Sequence, residues 1–299
     1  MPQQSIRQNL NDYMERLCFP ADAKEDLLIA FDKIAANGST FSRFCAMLKA
    51  YEEDCHLHFV ALQEELEKLC EIVEVHPYAG KLMFYLSLAD GMRAHYRAQG
   101  IDETLFWNAL ADLGYKLEEC RLVQGMNGSF VGNWFAGFFK LERFALGRLQ
   151  FELTTVKKPY TCAGFSLSEG QTAINIHIPR TGTRLCHDEV LAAYEMARDF
   201  FRASFPNGQA LFVCHSWLLD PWNLTVLRPD SNLAAFIRDF EIVEVDQYPD
   251  YAQLWRLFDC KYTGDPEDLP GDSSLRRAYK ERVKRGEKTA AGLGYFILK

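Results

Sequence analysis

The sequence predicts an α+β protein, with an all-α N-terminal domain followed by a second domain that mixes strands and helices. Three observations carry this. Apolar residues recur at three- and four-residue spacing across residues 5–120. Strand-like runs (LGRLQFEL, TAINIHIP, ALFVCHSWLL) appear only from Leu146 onward. Between the two, segment 121–134 gathers Gly125, Gly128 and Gly132 and marks a junction. A chain of 299 residues is long enough for two domains, set here at 1–125 and 126–299.

In the helical part, Leu27, Leu28, Ala30, Phe31 and Ile34 form one apolar stripe, and Phe59, Leu62, Leu66 and Leu69 a second. Leu82, Tyr85, Leu86 and Met92 make a third, and Leu105, Ala109 and Leu113 a fourth. Breakers at Pro20, Asn37-Gly38, Pro77 and Gly100 separate them, so four to six helices are expected, with no repeat of fixed period. Cys55-His56-Leu57-His58 stands before the second stripe with no second ligand pair, so a surface helix start is preferred over a metal site. Past the junction, the aromatic run Trp134, Phe135, Phe138 and Phe139 requires burial. Strands are expected at 146–153, 173–178 and 210–217, helices at 186–203 and 231–238, and further strands at 241–245 and 295–298. Segment 263–274, rich in Pro, Gly and Asp, reads as a loop, and 276–288 as a basic, solvated surface helix.

Bulk properties narrow the function. The chain is 48% hydrophobic and 25% charged, as in ordinary globular proteins. A net charge of −8, from 33 basic and 41 acidic side chains, argues against nucleic-acid binding. No apolar run approaches the ~18 residues of a membrane span, and the N-terminal residues are polar rather than signal-like. The nine cysteines (18, 45, 55, 70, 120, 162, 186, 214, 260) are scattered without a CxxC. That pattern suits buried, reduced thiols in a cytoplasmic protein, with no metal.

Ionisable residues sit on the strands. Side chains alternate along a strand, so Arg148, Gln150 and Glu152 share one face, as do Asn175 and His177. Such a face is either a solvated cleft or the exposed side of an antiparallel sheet. The third run is apolar around its centre, so His215 and Ser216 are expected to be embedded polar groups needing partners. Turn 179–184 leads into a helix start, where Gly182 permits unusual backbone and Arg180 and Arg184 add positive charge for an anion. Asp188 and Glu189 compete for that same end. Cys186-His187-Asp188 and Cys214-His215 are not read as catalytic units, because sequence neighbours rarely face one another. No GxSxG, Walker or dinucleotide motif is present.

Several phrases carry a resemblance. LGRLQFEL (146–153), INIHIP (174–179), CHSWLLDP (214–221) and LRPDSNLAAFIRDFEI (227–242) are similar to the C-terminal domain of a family of bacterial acyltransferase-domain proteins. That family joins a helical N-terminal acyltransferase domain to a GNAT-like N-acetyltransferase domain. CFPADAKEDL (18–27) and QGIDETLFWNALADLG (99–114) resemble its helical half. The resemblance implies a mixed, mostly antiparallel sheet and transfer of an acyl group from acyl-CoA or acetyl-CoA to an amine on a small molecule or peptide. It implies that Ile176 and Ile178 lie along the donor's pantetheine arm, with Arg180, Thr181, Gly182, Thr183 and Arg184 at its pyrophosphate. The superfamily's loop has a basic or Gln residue followed by paired glycines, to which only Arg180 and Gly182 answer here. Glu152, His177 and His215 are then the candidate bases, and Trp134, Asn175, Ser216 and Trp217 line the acceptor cleft. The competing class is a catalytically inactive GNAT-like protein that binds a ligand or partner without turnover.

Overall fold

A computed structural model describes residues 3–161 and 164–298, and it divides into two compact units, Met1–Phe144 and Ala145–Lys299. Cys162 lies outside the described residues.

The first unit is helical: α1 (Gln3–Arg16), α2 (Ala21–Ala36), α3 (Gly38–Glu53), α4 (Phe59–Ile72), α5 (Pro77–Ser87), α6 (Ala89–Ala98), α7 (Glu103–Gln124) and the short α8 (Ala136–Phe139). Seven of these are long helices, where four to six were expected. The additional break lies at Leu88 between α5 and α6, where no glycine or proline announces it. Elsewhere the boundaries follow local chemistry. Asn37 ends α2 and caps α3 by accepting from the amides of Ser39 and Thr40. His76 caps α5 just before Pro77 at its first turn. Asp102 caps α7, and Gly125, with φ of 69°, closes it in the left-handed conformation. His58 caps α4 by accepting from Ala61, so the Cys55–His58 segment is a helix start.

The aromatic run 134–139, assigned from sequence to the second domain, belongs to this first unit. Phe135 and Phe139 each approach Tyr85 at 4.9 Å between ring centroids, and Tyr51 donates to the Phe139 carbonyl at 2.8 Å. The α-helical core supplies the aromatic surface these rings need, so they stay with it.

The second unit is built on a six-stranded sheet in the order β1-β2-β5-β6-β8-β7. Its strands are β1 (Arg143–Leu146), β2 (Leu149–Thr155), β5 (Thr172–His177), β6 (Ala210–Ser216), β7 (Glu241–Gln247) and β8 (Ala290–Leu298). A separate hairpin is formed by β3 (Tyr160–Thr161) and β4 (Ser166–Leu167). The stretch 146–153, read as one strand, contains a turn: Gly147 takes φ of 63° and separates β1 from β2. The sheet is mixed and mostly antiparallel, with β5 and β6 parallel.

One sheet face carries Phe151, Ile174, Ile176, Phe212, Cys214 and Phe296, matched across the register. The helix α9 (His187–Phe200) packs on it, with Tyr194 at 5.5 Å from Phe212 and 4.8 Å from Phe296, and α11 (Asn232–Arg238) lies against α9. Phe240, just past α11, stands 5.1 Å from Phe296. The small residues of β8 hid it from the strand pattern, which showed only 295–298. They are needed there, since a Cβ at Gly292 would collide with the Leu219 carbonyl.

The remaining helices, α10 (Asn223–Val226), α12 (Trp255–Phe258) and α13 (Ser274–Lys284), form a small layer around Leu254, Phe258, Leu269, Tyr279 and Val283. The basic run on α13 is not simply solvated, as its pattern suggested. Arg282 is buried against Asp220 at 2.7 Å, Lys280 and Lys284 pair with Glu267, and Arg276 pairs with Asp259 and Asp272. Acids distant in sequence neutralise it.

Candidate active site

On β2 and β5 the opposite sheet face is polar. Cross-strand register places Gln150 beside His177 and Glu152 beside Asn175, so these four share that face. His177 Nε2 lies 2.8 Å from Glu152 Oε1. Asn175 Nδ2 donates to the same oxygen at 3.1 Å and stands 3.2 Å from His177 Nε2. The His177 and Glu152 side chains are 20% and 22% exposed, half-buried enough to be held and open enough to meet a solute. The face each of these residues takes follows from period-2 alternation and was legible in the sequence; the pairing of β2 with β5, which brings them together, was not.

His215 is different. The expectation that it is embedded is corrected: its side chain is 51% exposed and pairs with Asp246 on β7 at 3.2 Å. Alternation along β6 turns Cys214 into the helix-covered face and His215 onto the polar one. Burial pushes the Cys214 thiol up to about 12, so it is held as the neutral thiol. Ser216 faces away from His215 and caps the short turn Trp217–Leu219 by accepting from the Leu218 amide at 3.2 Å. Trp217 packs edge-on against Tyr279 at 6.0 Å. Trp134 belongs to the first unit, where it donates to Asp112 at 2.9 Å and lies 3.9 Å beneath the Arg143 guanidinium.

Near Glu244 on β7, Tyr160 donates to the carboxylate at 2.8 Å and Lys158 pairs with it at 2.7 Å. Lys158 and Tyr160 together hold Glu244 below the ordinary carboxylate range, while burial and the same carboxylate raise the Tyr160 phenol.

The parallel strands β5 and β6 are paired at Ile174↔Phe212 and Asn175↔Val213, and no later pair joins them among the described residues. β5 nevertheless runs on to His177 against β2, and β6 to Ser216 against β8. The two strands therefore part beyond Asn175, leaving Ile176 and His177 on one lip of a wedge and Cys214 to Ser216 on the other. Turn 179–184 follows at once. Gly182 has φ of 77°, the left-handed region that favours glycine, and a side chain there would meet open space. Thr181 and Thr183 hydroxyls lie 2.8 Å apart, and Arg148 donates to the Pro179 carbonyl at 3.1 Å. Arg180 is engaged by Asp259 through Nε at 2.8 Å and Nη2 at 3.0 Å. Arg184 is exposed.

Sequence reasoning did not find Asp239, Asp246 or Asp259, the acids that hold His187, His215 and Arg180. Each lies far along the chain from its partner, and nothing in its spacing signals the pairing. No group of three or more His, Cys, Asp or Glu able to hold a metal occurs among the described residues.

The helical unit, the mixed sheet and the parting parallel strands define a class. Residues 144–296 match the GNAT-like C-terminal domain, and residues 8–141 match the N-acyltransferase N-terminal domain. The chain belongs to this acyltransferase family. Among solved structures, an acyltransferase variant in complex with octanoyl-CoA has a TM-score of 0.74 at 21% identity, over 98% of this chain and 88% of that one. An acyltransferase in complex with decanoyl-CoA has a TM-score of 0.73 at 21% identity over 100% of both chains. One in complex with decanoyl-CoA and teicoplanin has a TM-score of 0.68 at 21% identity, again over 100% of both. These likenesses establish the shared fold. Comparison with curated proteins gives no match.

Proposed function

We propose that the protein is an acyl-CoA-dependent N-acyltransferase that moves an acyl group from coenzyme A to an amine on a small molecule or peptide. The observation that carries this reading is the parting of β5 and β6 beyond Asn175↔Val213, next to the Glu152–Asn175–His177 cluster. Edge amides freed by the parting suit the amide-rich pantetheine arm, with Ile176 and Ile178 alongside it. Residues 180–184, with the left-handed Gly182 and Arg180, would receive the pyrophosphate ahead of α9. Of the similar structures, three hold acyl-CoA and one holds CoA, and two also contain teicoplanin or 10C-Teicoplanin. A bulky amine acceptor fits that pattern.

In the reaction the acceptor nitrogen attacks the thioester carbonyl carbon, the C–S bond breaks, and an amide and the free thiol of coenzyme A result. The nitrogen loses a proton on the way, and the coenzyme A sulfur gains one. The reading assigns proton uptake to the Glu152–His177 pair, because imidazole is the side chain whose proton affinity lies nearest neutrality. Glu152 orients the ring and stabilises its charged form, and Asn175 orients Glu152. His215, exposed and paired with Asp246, is assigned no part in this step. The buried thiols of Cys55, Cys70 and Cys214 suit a reducing, cytoplasmic compartment.

The test has two arms. Titration with CoA should give saturable binding and a melting shift that grows with ligand, about 2.7 kcal/mol at one hundred times Kd. Incubation with decanoyl-CoA and a panel of amines should release free thiol in step with amide. Binding of CoA without amide formation on any amine, or no binding of CoA at all, would favour the non-catalytic class.

A further inference from the structure

Behind Arg180 stands a chain of charges that ties the turn after β5 to the C-terminal helical layer. Arg180 meets Asp259 with both Nε and Nη2, at 2.8 and 3.0 Å. The same carboxylate receives Arg276 Nη2 on Oδ2 at 2.6 Å. Arg276 is itself fixed, donating from Nε to the Leu257 carbonyl at 2.8 Å and from Nη1 to Asp272 at 3.0 Å. Asp259 closes α12 with φ of 57°, a left-handed conformation that aspartate and asparagine tolerate better than other non-glycine residues.

The charge balance decides what such a chain can do. One carboxylate against one guanidinium would cancel the positive charge at the turn. Two guanidiniums on one carboxylate leave the trio with a net single positive charge. Asp272, the fourth member, is 66% exposed, where water weakens its effect on Arg180. Asp259 thus holds the Arg180 guanidinium in place without neutralising the site.

We infer that Asp259, backed by Arg276, is a positioning residue for donor binding, fixing the Arg180 guanidinium beside turn 180–184 so that it meets the pyrophosphate already oriented. This rests on the donor-binding reading above. A preset Arg loses less side-chain freedom on binding than a mobile one, so the brace strengthens donor affinity although it never touches the donor.

The test is calorimetric titration of the full chain with CoA. Asp259→Asn removes the charge and keeps a residue suited to the left-handed backbone; Asp259→Ala removes both contacts; Arg180→Ala removes the guanidinium. Asp259→Ala and Arg180→Ala should each weaken CoA about tenfold, with Asp259→Asn in between. The double variant should be no weaker than Arg180→Ala alone, because the brace acts only through that side chain. Melting without ligand reports any loss of fold, and additive losses of affinity would mean a general structural role and overturn the inference. Unchanged or tighter CoA binding by Asp259→Ala, with the wild-type protein binding normally, would overturn it alone. Absence of CoA binding by the wild-type protein would overturn the donor-binding reading along with it.

Discussion

Two histidine–carboxylate pairs in the second unit have nearly the same geometry and sit in different settings. His177 and Glu152 meet at 2.8 Å with exposures of 20% and 22%; His187 and Asp239 meet at 2.9 Å with exposures of 22% and 18%. The first pair lies on the polar sheet face, where neighbouring strands part. The second joins the start of α9 to the end of α11, with Tyr194 donating to Asp239 at 3.3 Å and Asn232 accepting from the His187 amide at 3.3 Å. One pair borders the place where two parallel strands part, and the other clips two helices together. A short His–acid distance by itself therefore does not mark a catalytic site.

Breaking the first pair should give the largest effect. His177→Ala should lower acyl transfer about 10²–10⁴-fold, the range for a general base, with CoA affinity and melting temperature nearly unchanged. Retained transfer in steady-state assays would move the base elsewhere.

Breaking the second pair should act on folding. Asp239→Ala leaves His187 and Tyr194 without their acceptor and should cost about 1–3 kcal/mol in urea unfolding, while CoA affinity per folded molecule holds. Loss of CoA binding at full stability would contradict the division of roles.

The acid dependence of that clip sharpens the contrast. Burial raises the Asp239 carboxyl, outweighing the opposing bonds from His187 and Tyr194. The native state therefore holds this proton more tightly than the unfolded chain. Its contribution favours the fold below the ordinary carboxylate value of about 4 and is lost as pH rises through the raised value. Asp239→Asn cannot ionise, so the stability of wild type relative to this variant should fall as pH rises above the ordinary carboxylate value of about 4. Parallel stability curves for the two proteins would refute it.

The smallest effect belongs to the third pair, His215–Asp246, which is more than half exposed. His215→Ala should change unfolding free energy by less than about 1 kcal/mol and leave the transfer rate within about threefold. A large loss of rate would return His215 to the catalytic group.

Much of the fold could be read from residues alone. The apolar stripes of α2, α4 and α7 follow from periodicity, and the break at Asn37-Gly38 from turn chemistry within a few residues. The polar face of β2 and β5 followed from alternation, which is why Glu152, Asn175 and His177 could be named before they were seen together. The turn inside 146–153 and the length of β8 escaped because Gly147, Gly292 and Gly294 weaken the strand pattern where backbone geometry requires them. The solvated reading of α13 failed because its neutralising acids, Asp220, Asp259 and Glu267, lie on other segments.

What the sequence determined by itself is what short-range physics determines: element type, the face each side chain takes and the chemical character of those faces. The tertiary structure decided which of three histidines borders the wedge, which clips helices and which lies in solvent. It also decided that Arg180 is braced rather than loose. Those outcomes depend on Asp239, Asp246 and Asp259 arriving from distant segments and on two parallel strands parting after Asn175. Pairing across such separations is set by packing of the whole unit, to which no local pattern in the chain corresponds.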